Sequence, residues 1–330
     1  MLYYLSYQEK CIFPNTMKTE KDVNTMKYLV IGAGGTGGCI AGFMAKSKKD
    51  VTLIARGAHL EAIRKNGLKI EKLKGEESIE VNAMTEAEYI SLAQKADAIF
   101  VCVKGYSVDS IYDLIRKASH EGSVVIPILN IYGTGEKMAK QLPGLEVLNG
   151  CIYIAAAISA PGIIKMSGDI FKIVFGRVDG DTSSPVLQQI ERDLRESGIE
   201  GILSSDIRRE TFEKFSFISP MAATGAYYTS TAGDVQREGE IREMFKNCVR
   251  EIDSLADAMG VSFGFDILEK NLKIMDGVAP DCTASMQKDL EKGGDSEMDG
   301  LIFEVLRLGK KYGVFVPTYE KISEKFGYTL

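Results

Sequence analysis

Tyr28-Leu29-Val30-Ile31-Gly32-Ala33-Gly34-Gly35-Thr36-Gly37 is the stretch that decides the fold. An apolar run of four ends in G-x-G-x-x-G, and a helix-like segment over residues 39–45 follows. In that strand–turn–helix setting each glycine has its own task. Gly32 permits the tight turn, Gly34 lets a pyrophosphate approach the backbone, and Gly37 lets helix and strand pack closely. Ala33, Gly35 and Thr36 complete the loop that would surround phosphate, at a helix N-terminus whose dipole favours negative charge. A second apolar run, residues 51–55, ends in Arg56, where an NAD-binding chain would place an acid for the ribose 2′-hydroxyl. An arginine there suits a 2′-phosphate, so the expected cofactor is NADP (as NADPH). A surface arginine in some other glycine-rich α/β protein is the plainer reading of Arg56.

Outward from this motif, short apolar runs alternate with helical patterns, as parallel βαβ units require. Strands are expected at residues 28–31, 51–55, 98–103 and 124–129. Residues 67–81 alternate apolar and polar (Leu68, Ile70) and predict extra strands near the sheet edge. Residues 150–158 and 162–176 carry β-branched runs broken by Pro161 and Gly168, which fits strands or a hairpin closing the first domain. A helix over 185–197 and an extended piece over 199–204 follow. After Ser205 strand patterns vanish, and residues 207–228, 235–259, 265–275, 298–312 and 318–326 all predict helices. The expected architecture is a Rossmann-type doubly wound parallel sheet over residues 26–204, then an all-helical domain over 205–330. Residues 1–25 carry three tyrosines and a polar tract without the pattern of a signal peptide. Met26-Lys27 opens the first strand as a natural start would, so the leading segment reads either as an appendage or as a start assigned upstream.

A chain of 330 residues is comfortable for two domains. A net charge of −6, with no long run of Lys and Arg, argues against a nucleic-acid partner. Six scattered cysteines without a C-x-x-C pair fit reduced thiols in a cytoplasm. The longest apolar or small-residue run, residues 215–228, contains Pro220 and falls short of the ~18 residues of a membrane span.

Elimination narrows the chemistry. The two histidines, His59 and His120, read as solvent-facing or near the adenine end of a cofactor. The chain has no Y-x-x-x-K and no His, Cys and carboxylate cluster with metal-ligand spacing, so no metal is expected. A carbonyl reductase of this composition takes its proton most simply from a lysine. Lys104 ends the apolar strand Ile99-Phe100-Val101-Cys102-Val103, at the carboxyl edge where open α/β sheets bind ligands. Asn130 stands at the same edge after the next strand, where it would also serve as a turn cap. Lys214 precedes an apolar helix and could either snorkel outward or point into a domain seam. Pro220, six residues on, frees the carbonyl of Ser216 from its helix bond.

Together these residues carry a resemblance. Residues 32–37, Cys102-Val103-Lys104-Gly105-Tyr106, Leu129-Asn130-Ile131-Tyr132-Gly133, residues 209–214, Ser285-Met286-Gln287-Lys288-Asp289 and Glu297-Met298-Asp299 resemble, in order and spacing, the ketopantoate reductase family. The likeness runs from Met26 to the C-terminus, and S-M-x-x-D followed by E-x-D is its most specific part. It implies a Rossmann domain, a helical domain, NADPH, and reduction of the 2-oxo group of 2-dehydropantoate to pantoate for coenzyme A synthesis. It further implies that Lys214 is the general acid, that Glu297 contacts a substrate hydroxyl and the lysine network, and that Ser285 binds the substrate carboxylate. Lys104 and Asn130 would line the nicotinamide side, and some family members are dimers, so a homodimer is expected.

The chain also departs from that pattern. Where the family commonly has asparagines around the substrate hydroxyl, this sequence has Ile218, Ala222 and Ala232. Loss of those partners should weaken recognition of a hydroxylated substrate, with Ser219 or Thr224 as compensating groups. A paralogous reductase acting on another 2-oxo acid is the alternative. A non-catalytic NADP-binding sensor is a third reading, against which Lys214, Ser285 and Glu297 stand together.

Overall fold

The computed structural model describes residues 25–330, so the readings made for residues 1–24, Cys11 included, lie outside the described residues. The strands are β1 Lys27–Ile31, β2 Asp50–Ile54, β3 Leu68–Lys72, β4 Gly75–Ile79, β5 Asn82–Met84, β6 Ala98–Val101, β7 Val124–Pro127, β8 Glu146–Val147, β9 Asn149–Ala160, β10 Ile163–Gly176 and β11 Glu200–Leu203. The helices of the first half are α1 Gly35–Lys46, α2 Gly57–Asn66, α3 Glu86–Ser91, α4 Tyr112–Ala118, α5 Thr134–Gln141 and α6 Pro185–Glu196. Those of the second are α7 Ile207–Tyr228, α8 Ala232–Gln236, α9 Glu240–Ala258, α10 Ile267–Gly277, α11 Ser285–Glu291, α12 Glu304–Tyr312 and α13 Pro317–Lys325.

Six strands pair in parallel in the order β5-β2-β1-β6-β7-β8. The four central ones are near-continuous apolar runs because helices cover both faces. Ile31 lies opposite Ile54 and Val101, and Val101 opposite Pro127, so β2, β1, β6 and β7 end on one line. The chain leaves β1 towards β2 and returns to β6 on its other side. That reversal opens the crevice in which such sheets bind ligands.

Residues 68–79 are strands, but not at the edge of this sheet. β3 and β4 form an antiparallel pair that joins β10, β9 and β11 in a second sheet, while β5 takes the edge of the first. The alternation of Leu68 and Ile70 has its physical reason there: one face packs on the core and the other meets water. Helix α1 fills the space between the sheets. A Cβ at Gly35 would come within 2.2 Å of the Ala156 carbonyl oxygen, so the helix start rests directly on β9.

Past β11 the chain is helical. The long apolar α7 packs against α9 on one side and β9 on the other. Pro220 sits inside it, and the carbonyl of Ser216 accepts a bond from Asn271 Nδ2 of α10 at 2.9 Å. The defect is thus repaired across helices by a fully buried asparagine. The single helix expected over 235–259 is two, α8 and α9, separated at Gly239 with φ +145°. The short α11 was not foreseen. Residues Asp299–Phe303 form one widened π-type turn ahead of α12. Among the described residues no helix is long and apolar enough to cross a membrane.

Candidate active site

At the phosphate end, Gly32 has φ +106°, and a Cβ there would meet the Cys102 carbonyl oxygen at 2.9 Å. At Gly37 it would meet the Gly32 carbonyl oxygen at 2.0 Å. At Gly34, by contrast, it would meet nothing within 4 Å. The first and third glycines are filled by protein and the middle one faces open space, as approach of a pyrophosphate requires. Gly34 is also the N-cap of α1, and no side chain caps that helix. The first-turn N–H groups, from Gly35, Thr36 and Gly37, are left to an anion, while Ala33 leads into the turn. Arg56 is exposed at the end of β2 and caps the start of α2. Its carbonyl accepts from Leu60 N, and among the described residues its guanidinium has no hydrogen-bond or ion-pair partner. These groups fit a pyridine dinucleotide.

Of the two histidines, His120 faces solvent as expected and His59 does not. The Nδ1 of half-buried His59 accepts from Gly162 N at 3.0 Å, beside the phosphate loop. His120 pairs with Asp97 at 3.0 Å, before β6 and thus at the opposite edge of the sheet.

The other end of the crevice is assembled from distant parts of the chain. Lys214, in the second turn of α7, is buried with 8 % of its surface exposed. Its Nζ donates to Asn130 Oδ1 at 2.7 Å and to the Ile152 carbonyl oxygen of β9. The Tyr153 ring centroid lies 5.5 Å from the same nitrogen, within cation–π range. Burial pushes the Lys214 ammonium down from 10.5 to about 8, with Cys151 and the more distant Glu297 opposing.

Lys104, Asp289 and Glu297 form a second group. Lys104 Nζ donates to Asp289 Oδ2 at 2.8 Å and to Glu297 Oε2 at 3.1 Å. Gly105 N donates to Glu297 Oε1 at 3.2 Å. Glu297 is 4 % exposed, whereas Lys104 and Asp289 at the other end of this bridge between the two halves still meet water. The two carboxylates hold Lys104 above its ordinary value against the burial that would lower it. Ser285 is exposed at the first turn of α11, one helical turn before Asp289, and so shares the face of α11 turned to Lys104.

The structure therefore brings Lys214 and Asn130 into contact, and Lys104 and Glu297 into contact. Glu297 reaches Lys214 only through its field. Ser219 belongs to neither group, which corrects the expectation that it binds substrate. It is fully buried, its Oγ within 2.6 Å of both the Leu301 carbonyl oxygen and Tyr319 Oη, so its hydrogen-bonding capacity is spent on helix packing. Thr224 is likewise sealed in the helical core. Sequence reasoning missed the Ile152 carbonyl, for which no side-chain signal exists, and the pairing role of Asp289, although its S-M-x-x-D motif was visible.

The model of ketopantoate reductase PanE/ApbA matches residues 28–180, and that of the ketopantoate reductase PanE/ApbA C-terminal domain matches residues 206–327. A 2-dehydropantoate 2-reductase of Mesorhizobium japonicum is 28% identical, over 90% of this chain and 95% of the relative. A Bacillus subtilis protein named uncharacterized oxidoreductase YkpB is 26% identical, over 90% of this chain and 96% of its own. The crystal structure of a PanE/ApbA family ketopantoate reductase from Ralstonia eutropha superposes with a TM-score of 0.81 at 24% identity, covering 90% of this chain and 96% of that one.

Proposed function

The chain belongs to the ketopantoate reductase family, a family of pyridine-nucleotide-dependent oxidoreductases, and from that premise we propose that it reduces a 2-oxo acid to a 2-hydroxy acid with NADPH. The observation that carries the reading is Lys214: a buried ammonium, lowered to about 8, at the carboxyl edge of the sheet. The nicotinamide cofactor supplies a hydride to the ketone carbon. As that bond forms, negative charge grows on the ketone oxygen, and Lys214 Nζ stabilises it and then gives up a proton. Asn130 Oδ1 and the Ile152 carbonyl hold the ammonium in place, so little rearrangement is needed at the moment of transfer. Glu297 and Lys104 join the two halves across the cleft, and Ser285 at its rim is placed to take the substrate carboxylate. Arg56, exposed and with its guanidinium unpartnered among the described residues, favours NADPH over NADH through a 2′-phosphate.

In this reading residues 26–204 hold the cofactor and residues 205–330 supply the acid and the substrate groups. The buried or half-buried free thiols Cys39, Cys102, Cys151, Cys248 and Cys282 suit a reducing cytoplasm. A homodimer is proposed as well, and sedimentation as a monomer at high concentration would refute it.

The first substrate to test is 2-dehydropantoate, to which Lys214, Asn130, Ser285 and Glu297 point. A different 2-oxo acid is favoured by the apolar Ile218 and Ala222, one and two turns after Lys214, and by the engaged hydroxyl of Ser219. NADPH oxidation measured with a panel of 2-oxo acids tests the reaction. Turnover of at least one is expected, and binding of NADPH without turnover of any would leave the protein a sensor.

A further inference from the structure

Ile131 directly follows Asn130, and its side chain occupies space that two glycines, one from each half of the molecule, leave bare. A Cβ at Gly105 would lie 2.3 Å from Ile131 Cδ1, and a Cβ at Gly300 would lie 2.4 Å from the same methyl and 2.6 Å from Cγ1. Gly105 gives its N–H to Glu297, and Gly300 is in the widened turn three residues after Glu297. The point where a Gly105 Cβ would stand is also 3.8 Å from Glu297 Oε1, so the Ile131 methyl and the carboxylate flank the same bare glycine. Next in the chain, the Tyr132 ring stacks edge-on against Phe212 with centroids 4.6 Å apart, which fixes the loop on α7. The seat is built for this side chain.

Its effect is chemical. Glu297 is the carboxylate whose charge acts on Lys214, and it is the acid to which a hydroxyl on the substrate's side chain would turn. Both its oxygens already have partners, it is almost wholly buried, and Ile131 fills the space over Gly105, whose N–H the carboxylate binds. On α7 the positions one and two turns after Lys214 are Ile218, half-buried, and Ala222, buried. A substrate hydroxyl entering here would give up water for the apolar side chains of Ile131, Ile218 and Ala222, a loss that discriminates strongly.

We infer that Ile131 is a specificity-determining residue, which closes the space beside Glu297 and selects a 2-oxo acid with a compact apolar side chain over one carrying a hydroxyl. The inference rests on the reductase reading above. Two acids with one carbon skeleton test it: 2-dehydropantoate and 3,3-dimethyl-2-oxobutanoate, which lacks only the hydroxyl. Wild type is expected to show a kcat/KM at least tenfold higher on the acid without the hydroxyl. Ile131→Ala, by opening the space beside Glu297, should shift that ratio about tenfold towards the hydroxylated acid. Ile131→Val, which removes a single methylene and spares the fold, should shift it about two- to threefold in the same direction. A wild type that prefers 2-dehydropantoate, or two folded variants with an unchanged ratio, overturns the inference while leaving the reductase reading intact. A wild type that binds NADPH and reduces no 2-oxo acid overturns both.

Discussion

The two ends of the crevice are built on opposite plans. The phosphate end is local and made of absences: four glycines and an uncapped helix start within residues 32–37, with the exposed guanidinium of Arg56 after the adjacent strand. The acid end is long-range and made of contacts. Lys214 is 84 residues from Asn130, and Lys104 is 185 and 193 residues from Asp289 and Glu297. A site of the first kind binds whatever has the right charge and shape. A site of the second kind holds a charged group against its own desolvation, and so tunes it. Lys214 and Lys104 show the contrast within a single cleft. Lys104 keeps two carboxylates beside it and is raised, while Lys214 has only neutral oxygens in contact and is lowered to about 8.

The largest expected effect separates the ends most sharply. Lys214→Ala should lower kcat by about 10²–10³, the usual cost of one electrostatic donor at a developing oxyanion. NADPH affinity, followed by fluorescence titration, should stay within about twofold. Loss of both together would merge the two ends into one cooperative site. Arg56→Ala should act the other way round. Loss of charge-assisted bonds worth about 1.5–3 kcal/mol raises the NADPH KM about 10- to 100-fold and leaves the NADH KM nearly unchanged. Equal binding of NADH and NADPH by the wild type would remove the role given to Arg56.

The smaller effects sharpen the acid end itself. Ser285→Ala should raise the KM for the 2-oxo acid about tenfold with little change in kcat, because a carboxylate contact serves ground and transition states alike. Glu297→Ala should change both, since Lys104 and Gly105 N would lose their partner and the field at Lys214 would change. Steady-state kinetics on the preferred acid distinguish the two patterns. A kcat effect confined to Ser285 would move that residue from binding into the chemistry.

The same contrast explains what could be read from the chain. Residues 28–37 and Arg56 announce their surroundings because every contact that matters there is short-range: turn, strand end and helix start are neighbours in sequence. The span of α7 was legible for a similar reason, as a helical pattern that begins after Asp206, whose side chain caps Arg209 N, and continues through the apolar residues that follow Lys214. The second sheet was not. β3 and β4 alternate as any half-exposed hairpin does, and nothing local says that β3 pairs on its other side with β10, about a hundred residues on. At the acid end the identities of Lys104, Asn130, Lys214 and Glu297 could be picked out, but not their pairing. Ser219 misled because a serine one turn from a cleft and a serine sealed against Tyr319 look alike in sequence. Ile131 drew no notice, since an isoleucine becomes meaningful only when the two glycines it fills are known.

The central claim is that burial makes Lys214 an acid suited to near-neutral pH, and the pH dependence of kcat/KM for the 2-oxo acid at saturating NADPH tests it most directly. The proton is donated by the ammonium form, whose value lies near 8 rather than 10.5. The rate of reduction should therefore be level below about pH 8 and fall tenfold per pH unit above it, while oxidation of the 2-hydroxy acid, which needs the free amine, rises over the same range. A reduction profile that stays level to pH 10 in the wild type would contradict the account.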